Sequence, residues 1–162
     1  MALATGCNGG LQQIAAPTTC PTGLVGICGT VTFRGPIPDS TAGVYIVAYP
    51  TFPRGPNDLL RFVPVLPQSL PLPGDSITFF AVSIPNGRYE WVLAAWRKQG
   101  TLLPDFSNAD SLFREAGFYR DGADTTVHGT GIVVVNGTGT DSINVIVDFT
   151  TMHPISYYFP QP

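Results

Sequence analysis

The sequence predicts an all-β fold, a two-sheet antiparallel sandwich with a long Pro-rich loop and extended termini. Three observations carry this. First, 18 glycines and 16 prolines are spread along all 162 residues. Proline breaks the helical ladder and glycine weakens it, so long helices are excluded. Second, 44% of the residues are hydrophobic and the net charge is only −3, too apolar and too neutral for a disordered chain. Third, six short runs alternate or are rich in β-formers, each bounded by turn residues.

The elements follow in order. Residues Gly29–Arg34 place Val31 and Phe33 on one face and Thr30, Thr32 and Arg34 on the other. Val44–Tyr49 comes next, after a Gly/Pro/Asp turn. Ile77–Ile84 runs into Pro85-Asn86-Gly87, and Arg88–Arg97 returns, which reads as a hairpin. Near the end, Gly131–Val135 meets Asn136-Gly137 and Ser142–Phe149 follows, a second hairpin. In that last run Ile143, Val145, Val147 and Phe149 share one face, and Asn144, Ile146 and Asp148 share the other. A single helical turn fits Ser111–Ala116, capped by Asn108 or Asp110. The organisation is therefore an extended N-terminal segment at 1–25, a sandwich at 26–150 and an aromatic, Pro-rich tail at 151–162.

The motifs GTVTFRG, VYIVAYPTFP, IPNGRYEWVLAAW and GIVVVNGTGTDSINVIVDF, in that order, resemble bacterial prealbumin-like domains, the carboxypeptidase regulatory-like modules. The resemblance covers about residues 26–150 and implies a sandwich of prealbumin-like or Ig-like type. It also implies an accessory module without chemistry of its own, in a family whose members are often extracytoplasmic and lipid-anchored. Some transthyretin-like relatives are hydrolases with a Tyr-Arg-Gly-Ser tail. This chain ends YYFPQP instead, which disfavours that activity.

Composition narrows the function further. With a pI near 5.1 and Lys98 the sole lysine, the chain lacks the basic face that nucleic acids require. The two histidines, His128 and His153, stand apart from any HExxH, HxxE or GxSxG pattern. The expectation is no enzyme, no cofactor and no metal. Acidic residues gather at Asp105, Asp110, Glu115, Asp121 and Asp124, without the ligand spacing of an EF-hand, and read as a polar surface connection. Tyr89, Trp91 and Trp96 could form a carbohydrate- or peptide-binding platform, but core positions suit them better.

Three cysteines are present. Cys20 and Cys28 bracket a short Pro/Gly loop ahead of the first strand and are expected to form a disulfide, which places the protein in an oxidising compartment. Cys7 is left over. Leu3-Ala4-Thr5-Gly6-Cys7 resembles the end of a bacterial lipoprotein signal, so Cys7 is either a lipidation site or an ordinary thiol. Residues 1–29 carry no charge at all.

Phe52 to Ser76 holds six prolines in twenty-five residues, interleaved with large apolar side chains. It covers an open side of the sandwich, presents apolar surface to another protein, or does both. The tail offers Met152, Tyr157, Tyr158 and Phe159. With only 12% charged residues, these segments point to a partner interface made by Phe52, Leu59, Leu60, Phe62, Met152, Tyr157, Tyr158 and Phe159. The expected role is a non-catalytic accessory subunit. It would be periplasmic or at the cell surface, membrane-associated, and docked on other protein subunits of a larger assembly. A bacterial photosynthetic reaction-centre and antenna complex is one such setting.

Overall fold

A computed structural model of the chain describes residues 17, 19–72, 77–100, 105, 107–122 and 129–159. Cys7, Asp124, His128 and most of segment 1–25 lie outside the described residues.

The fold is all-β. Strand β1 (Gly26–Arg34) is the centre of a mixed sheet. It pairs antiparallel with β3 (Ile77–Ser83) along one edge. Along the other edge it pairs in succession with β8 (Gly139–Thr140) and β9 (Val145–Asp148), both parallel to it. A second, antiparallel sheet has the order β2 (Thr41–Tyr49), β5 (Trp91–Lys98), β6 (Phe113–Phe118). A small antiparallel pair joins β4 (Gly87–Tyr89) to β7 (Val133–Val135).

Both expected hairpins are absent, and the first sheet is not purely antiparallel. The Asn86-Gly87 turn carries the chain from β3 in one sheet to β4 and β5 elsewhere. After Asn136-Gly137 the chain crosses to lie beside β1. The two turns meet each other instead: Gly137 N donates to Asn86 Oδ1 at 2.7 Å. The physical reason is that alternation specifies which face of a strand is buried, while its neighbour is chosen by non-local packing. β5 is buried on both faces over Trp91–Trp96, so it needs a strand on each side and a layer above and below. An edge strand such as β3, with Ile77 half exposed, cannot supply that.

The helical turn also moves. It forms at Ala109–Leu112 (α1), and residues from Phe113 onward are strand β6. Pairing of Phe113 with Arg97 and of Glu115 with Ala95 overrides local propensity there. Asn108 is the N-cap residue, but its Oδ1 accepts from Asp105 N instead of capping the helix.

Between the two sheets lies the inner core, built from one face of each strand: Ile27 and Val31 of β1, Val44, Ile46 and Ala48 of β2, Val92, Ala94 and Trp96 of β5. Ile143, Val145, Val147 and Phe149 all point into it, as their alternation predicts. Cys20 and Cys28 form the expected disulfide, Cα atoms 5.4 Å apart, which fastens the chain ahead of β1 to the strand. No helix among the described residues is long and apolar enough to cross a membrane.

Candidate functional site

The second face of the β2–β5–β6 sheet is also largely apolar. Outward from it point Tyr45, Val47 and Tyr49 of β2, Trp91, Leu93 and Ala95 of β5, and Phe113 and Phe118 of β6. Phe118 reaches this face because a bulge opposite Ala94 adds a residue to β6. Gly117 is needed at that bulge, since a Cβ there would run into the carbonyl of Ile146. A face this hydrophobic must be covered, and two irregular segments cover it.

The first is the Pro-rich stretch, running beside β2 as a broken edge. Ala48 and Val63 exchange backbone hydrogen bonds of 2.8 and 2.9 Å, and Leu70 N donates to Val44 O at 2.7 Å. Pro64 and Pro67 have no N–H to donate, so pairing stays intermittent. Tyr49 Oη donates to Leu59 O at 2.6 Å and pins the short 3-10 turn at Pro56–Asp58. Burial pushes the Tyr49 phenol well above its ordinary pKa. Phe52 N donates to Glu90 Oε2 at 3.0 Å, and this bond, ahead of Arg88, holds the Glu90 carboxyl below its usual range.

The second cover is the tail. Glu115 and His153 exchange backbone hydrogen bonds of 2.7 and 3.0 Å. The Glu115 side chain is buried, accepts from Tyr158 Oη at 2.6 Å, and lies 3.5 Å from His153 Nδ1. Desolvation outweighs these contacts and raises the Glu115 pKa. Ser156 N donates to Asp110 Oδ1 at 3.0 Å. The 3-10 turn Ile155–Tyr158 is thereby seated on the sheet. Around Trp91, ring centroids of Phe52, Tyr158 and Phe118 stand at 4.8, 5.1 and 6.0 Å.

Where the two covers do not meet, an apolar cleft of about 450 Å³ remains. Its floor is Tyr45, Val47, Leu93, Ala95 and Arg97. The Pro-rich stretch forms one wall, with Leu60, Phe62, Val65 and Leu66, and Ala109, Phe113 and Ile155 form the other. At its mouth Val65 and Leu66 are 80% and 88% exposed. This cleft is the candidate site.

The residues expected at a partner interface are distributed unevenly. Leu59 is buried inside its own domain. Phe52, Tyr158 and Phe159 pack on the outer core beside it, and Met152 packs on the inner one. Leu59 is thus withdrawn from the surface, while Phe52, Met152, Tyr158 and Phe159, half-buried, pack within the chain and keep part of their surface exposed. Leu60 and Phe62 line the cleft while packing on the outer core. Tyr157 remains 62% exposed. Tyr89, Trp91 and Trp96 are buried and form no surface platform. Glu90 lies in the break between β4 and β5, so Tyr89 turns into the inner core and Trp91 into the outer.

The sequence reading missed Tyr45, Ala95, Arg97 and Phe113 as site residues. The available signal was the run WVLAAWRK, apolar on both faces and therefore central, with one cation on the outward register. Among the described residues no group of three metal-binding side chains occurs. No family model matches the chain, and no curated protein or solved structure matches it either.

Proposed function

We propose that the chain is a non-catalytic accessory subunit that docks through its outer layer onto a larger extracytoplasmic or membrane-associated protein assembly. The carrying observation is the Val65–Leu66 ridge. Two adjacent aliphatic side chains, 80% and 88% exposed, stand between Pro64 and Pro67 on a segment tied to β2. Such a ridge loses little conformational entropy on binding, because proline and the backbone bonds already hold it. Tyr157 adds an exposed aromatic from the tail. The Cys20–Cys28 disulfide supports an oxidising compartment, and lipidation of Cys7 would hold the subunit at a membrane. The prealbumin-like relationship belongs to the same proposal.

The test is co-purification of the tagged full chain from native membranes, compared with a Val65→Ser/Leu66→Ser variant. The substituted side chains are solvent-exposed, so folding stability should change by no more than about 0.5 kcal/mol. The expected result is at least tenfold depletion of stoichiometric protein neighbours with an unchanged circular dichroism spectrum. Full retention of the neighbours by the folded variant would overturn the docking reading.

A further inference from the structure

We propose that the cleft is a binding site for a single-chain anionic amphiphile, an alkyl carboxylate whose tail lies on the sheet and whose head meets Arg97. This goes beyond the docking reading: the ridge of Val65 and Leu66 forms part of one wall of the cleft, and the proposal concerns the floor and Arg97.

The cleft is asymmetric along β5. Past Leu93 the outer face is closed by Trp91, packed among Phe52, Tyr158 and Phe118. At the other end stands Arg97, half-buried beside Phe113 across the strand pair. From Leu93 to Arg97 the floor spans about 13 Å of strand, room for an alkyl chain of roughly ten carbons. The volume of about 450 Å³ falls within the range of small-molecule sites, about 300–1,000 Å³.

Arg97 supplies the charge complementarity. The ion pairs among the described residues are Arg61–Asp58, Arg88–Glu90 and His153–Glu115. Glu115, opposite Ala95 on the β5–β6 ladder, is engaged by Tyr158 and His153, while Asp105 accepts from Ser107 and Asn108, and Asp110 from Ser156. Residues 1–16 contain no acidic side chain, so that segment cannot neutralise Arg97. A peptide is a poorer occupant than an alkyl chain. Its backbone N–H and C=O groups would lie on a sheet face whose own backbone bonds run within the sheet, and burying them unpaired is costly.

Calorimetric titration of the purified full chain with decanoate and with decyltrimethylammonium, which share a tail and differ in head charge, tests the proposal. Decanoate should saturate one site and bind at least tenfold tighter than the cation, as a charge-assisted hydrogen bond to arginine implies. Shortening the tail to octanoate should weaken binding about fifteenfold, the cost of two methylenes returned to water. Ala95→Phe, which fills the floor, should abolish both titrations. Arg97→Glu, at the rim and free of the core, should reverse the head-group preference. Absence of saturable decanoate binding, equal affinity for the two heads, or an unchanged preference in Arg97→Glu would overturn it. The Ala95→Phe chain should still co-purify with its neighbours. Full retention of the neighbours by Val65→Ser/Leu66→Ser, with saturable decanoate binding in the unsubstituted chain, overturns the docking reading alone; loss of the neighbours in that variant, with no decanoate binding in the unsubstituted chain, overturns the cleft reading alone.

Discussion

The two sides of the β2–β5–β6 sheet bury their apolar surface by different means. On the inner side, strand packs on strand: Ile46, Val92 and Ala94 face Val31, Val145 and Val147, each nearly inaccessible. On the outer side, the same strands meet segments with no regular structure, and the cover depends on rings around Trp91 and on a few polar ties. Those ties are Tyr49 to Leu59, Ser156 to Asp110 and Tyr158 to Glu115. The inner core is held by every strand at once, so opening it means global unfolding. The outer layer can lift away locally, because few ladder hydrogen bonds cross to it. This difference explains why the cleft and the exposed ridge lie on the outer side. A cover made from irregular chain leaves gaps that two interdigitating sheets do not.

A matched pair of isoleucines offers the sharpest way to break this comparison. Ile46 of the inner core and Ile155 of the outer layer are both nearly fully buried. Ile46→Ala should lower global stability by about 2–5 kcal/mol, through lost transfer energy and the cavity left behind. Ile155→Ala should cost less in urea unfolding and should raise amide exchange selectively in the tail and α1. Equal global losses, with no local signature for Ile155→Ala, would make the two layers one cooperative unit.

Reduction of the disulfide is expected to have an intermediate effect. Closing the loop from Cys20 to Cys28 contributes about 2.5 kcal/mol in the chain-entropy view, and Cys28 belongs to β1 of the inner sheet. A Cys20→Ser/Cys28→Ser chain should unfold at lower urea with the outer layer's exchange pattern unchanged. A selective rise in tail exchange would place the disulfide's influence on the wrong layer.

The smallest effect expected is the pH response of the outer layer. Burial raises the Glu115 pKa above 4.5, so the folded chain holds that proton more tightly than the unfolded one. The resulting contribution is fully present below the unfolded pKa and declines as pH rises from about 4.5 through the raised folded value. Tyr158, His153 and Arg120 face the carboxyl and limit the shift. Tail exchange protection should therefore weaken across that window in the wild type and stay level in Glu115→Gln, which keeps an acceptor for Tyr158. Identical profiles in the two chains would remove Glu115 as the origin.

Much of the inner core was legible in the residues. Ile143, Val145, Val147 and Phe149 point inward because a period of two leaves only one way to bury them together. Cys20 and Cys28 were close enough along the chain for a short loop to join them. The outer layer was far less legible. Leu59, Phe52 and Tyr158 were read as apolar groups needing cover, and all three pack on their own sheet. Nothing local distinguishes an aromatic that packs at home from one that packs on a partner. Arg97 was overlooked because the role proposed for it depends on the floor beside it, which only the folded sheet assembles.

By itself the sequence determined the all-β class, the buried face of the last strand run, Ser142–Phe149, and the disulfide, all set by composition, side-chain alternation or short separation along the chain. Tertiary structure alone decided which strand lies beside which: that β9 runs parallel to β1, that the two Asn-Gly turns meet instead of making hairpins, and that residues 113–116 are strand instead of helix. It also decided that the Pro-rich stretch and the tail form a third layer around a cleft. Each of these outcomes is a choice among distant partners with similar apolar patterns, and the energy that selects one arises only when whole surfaces are brought together.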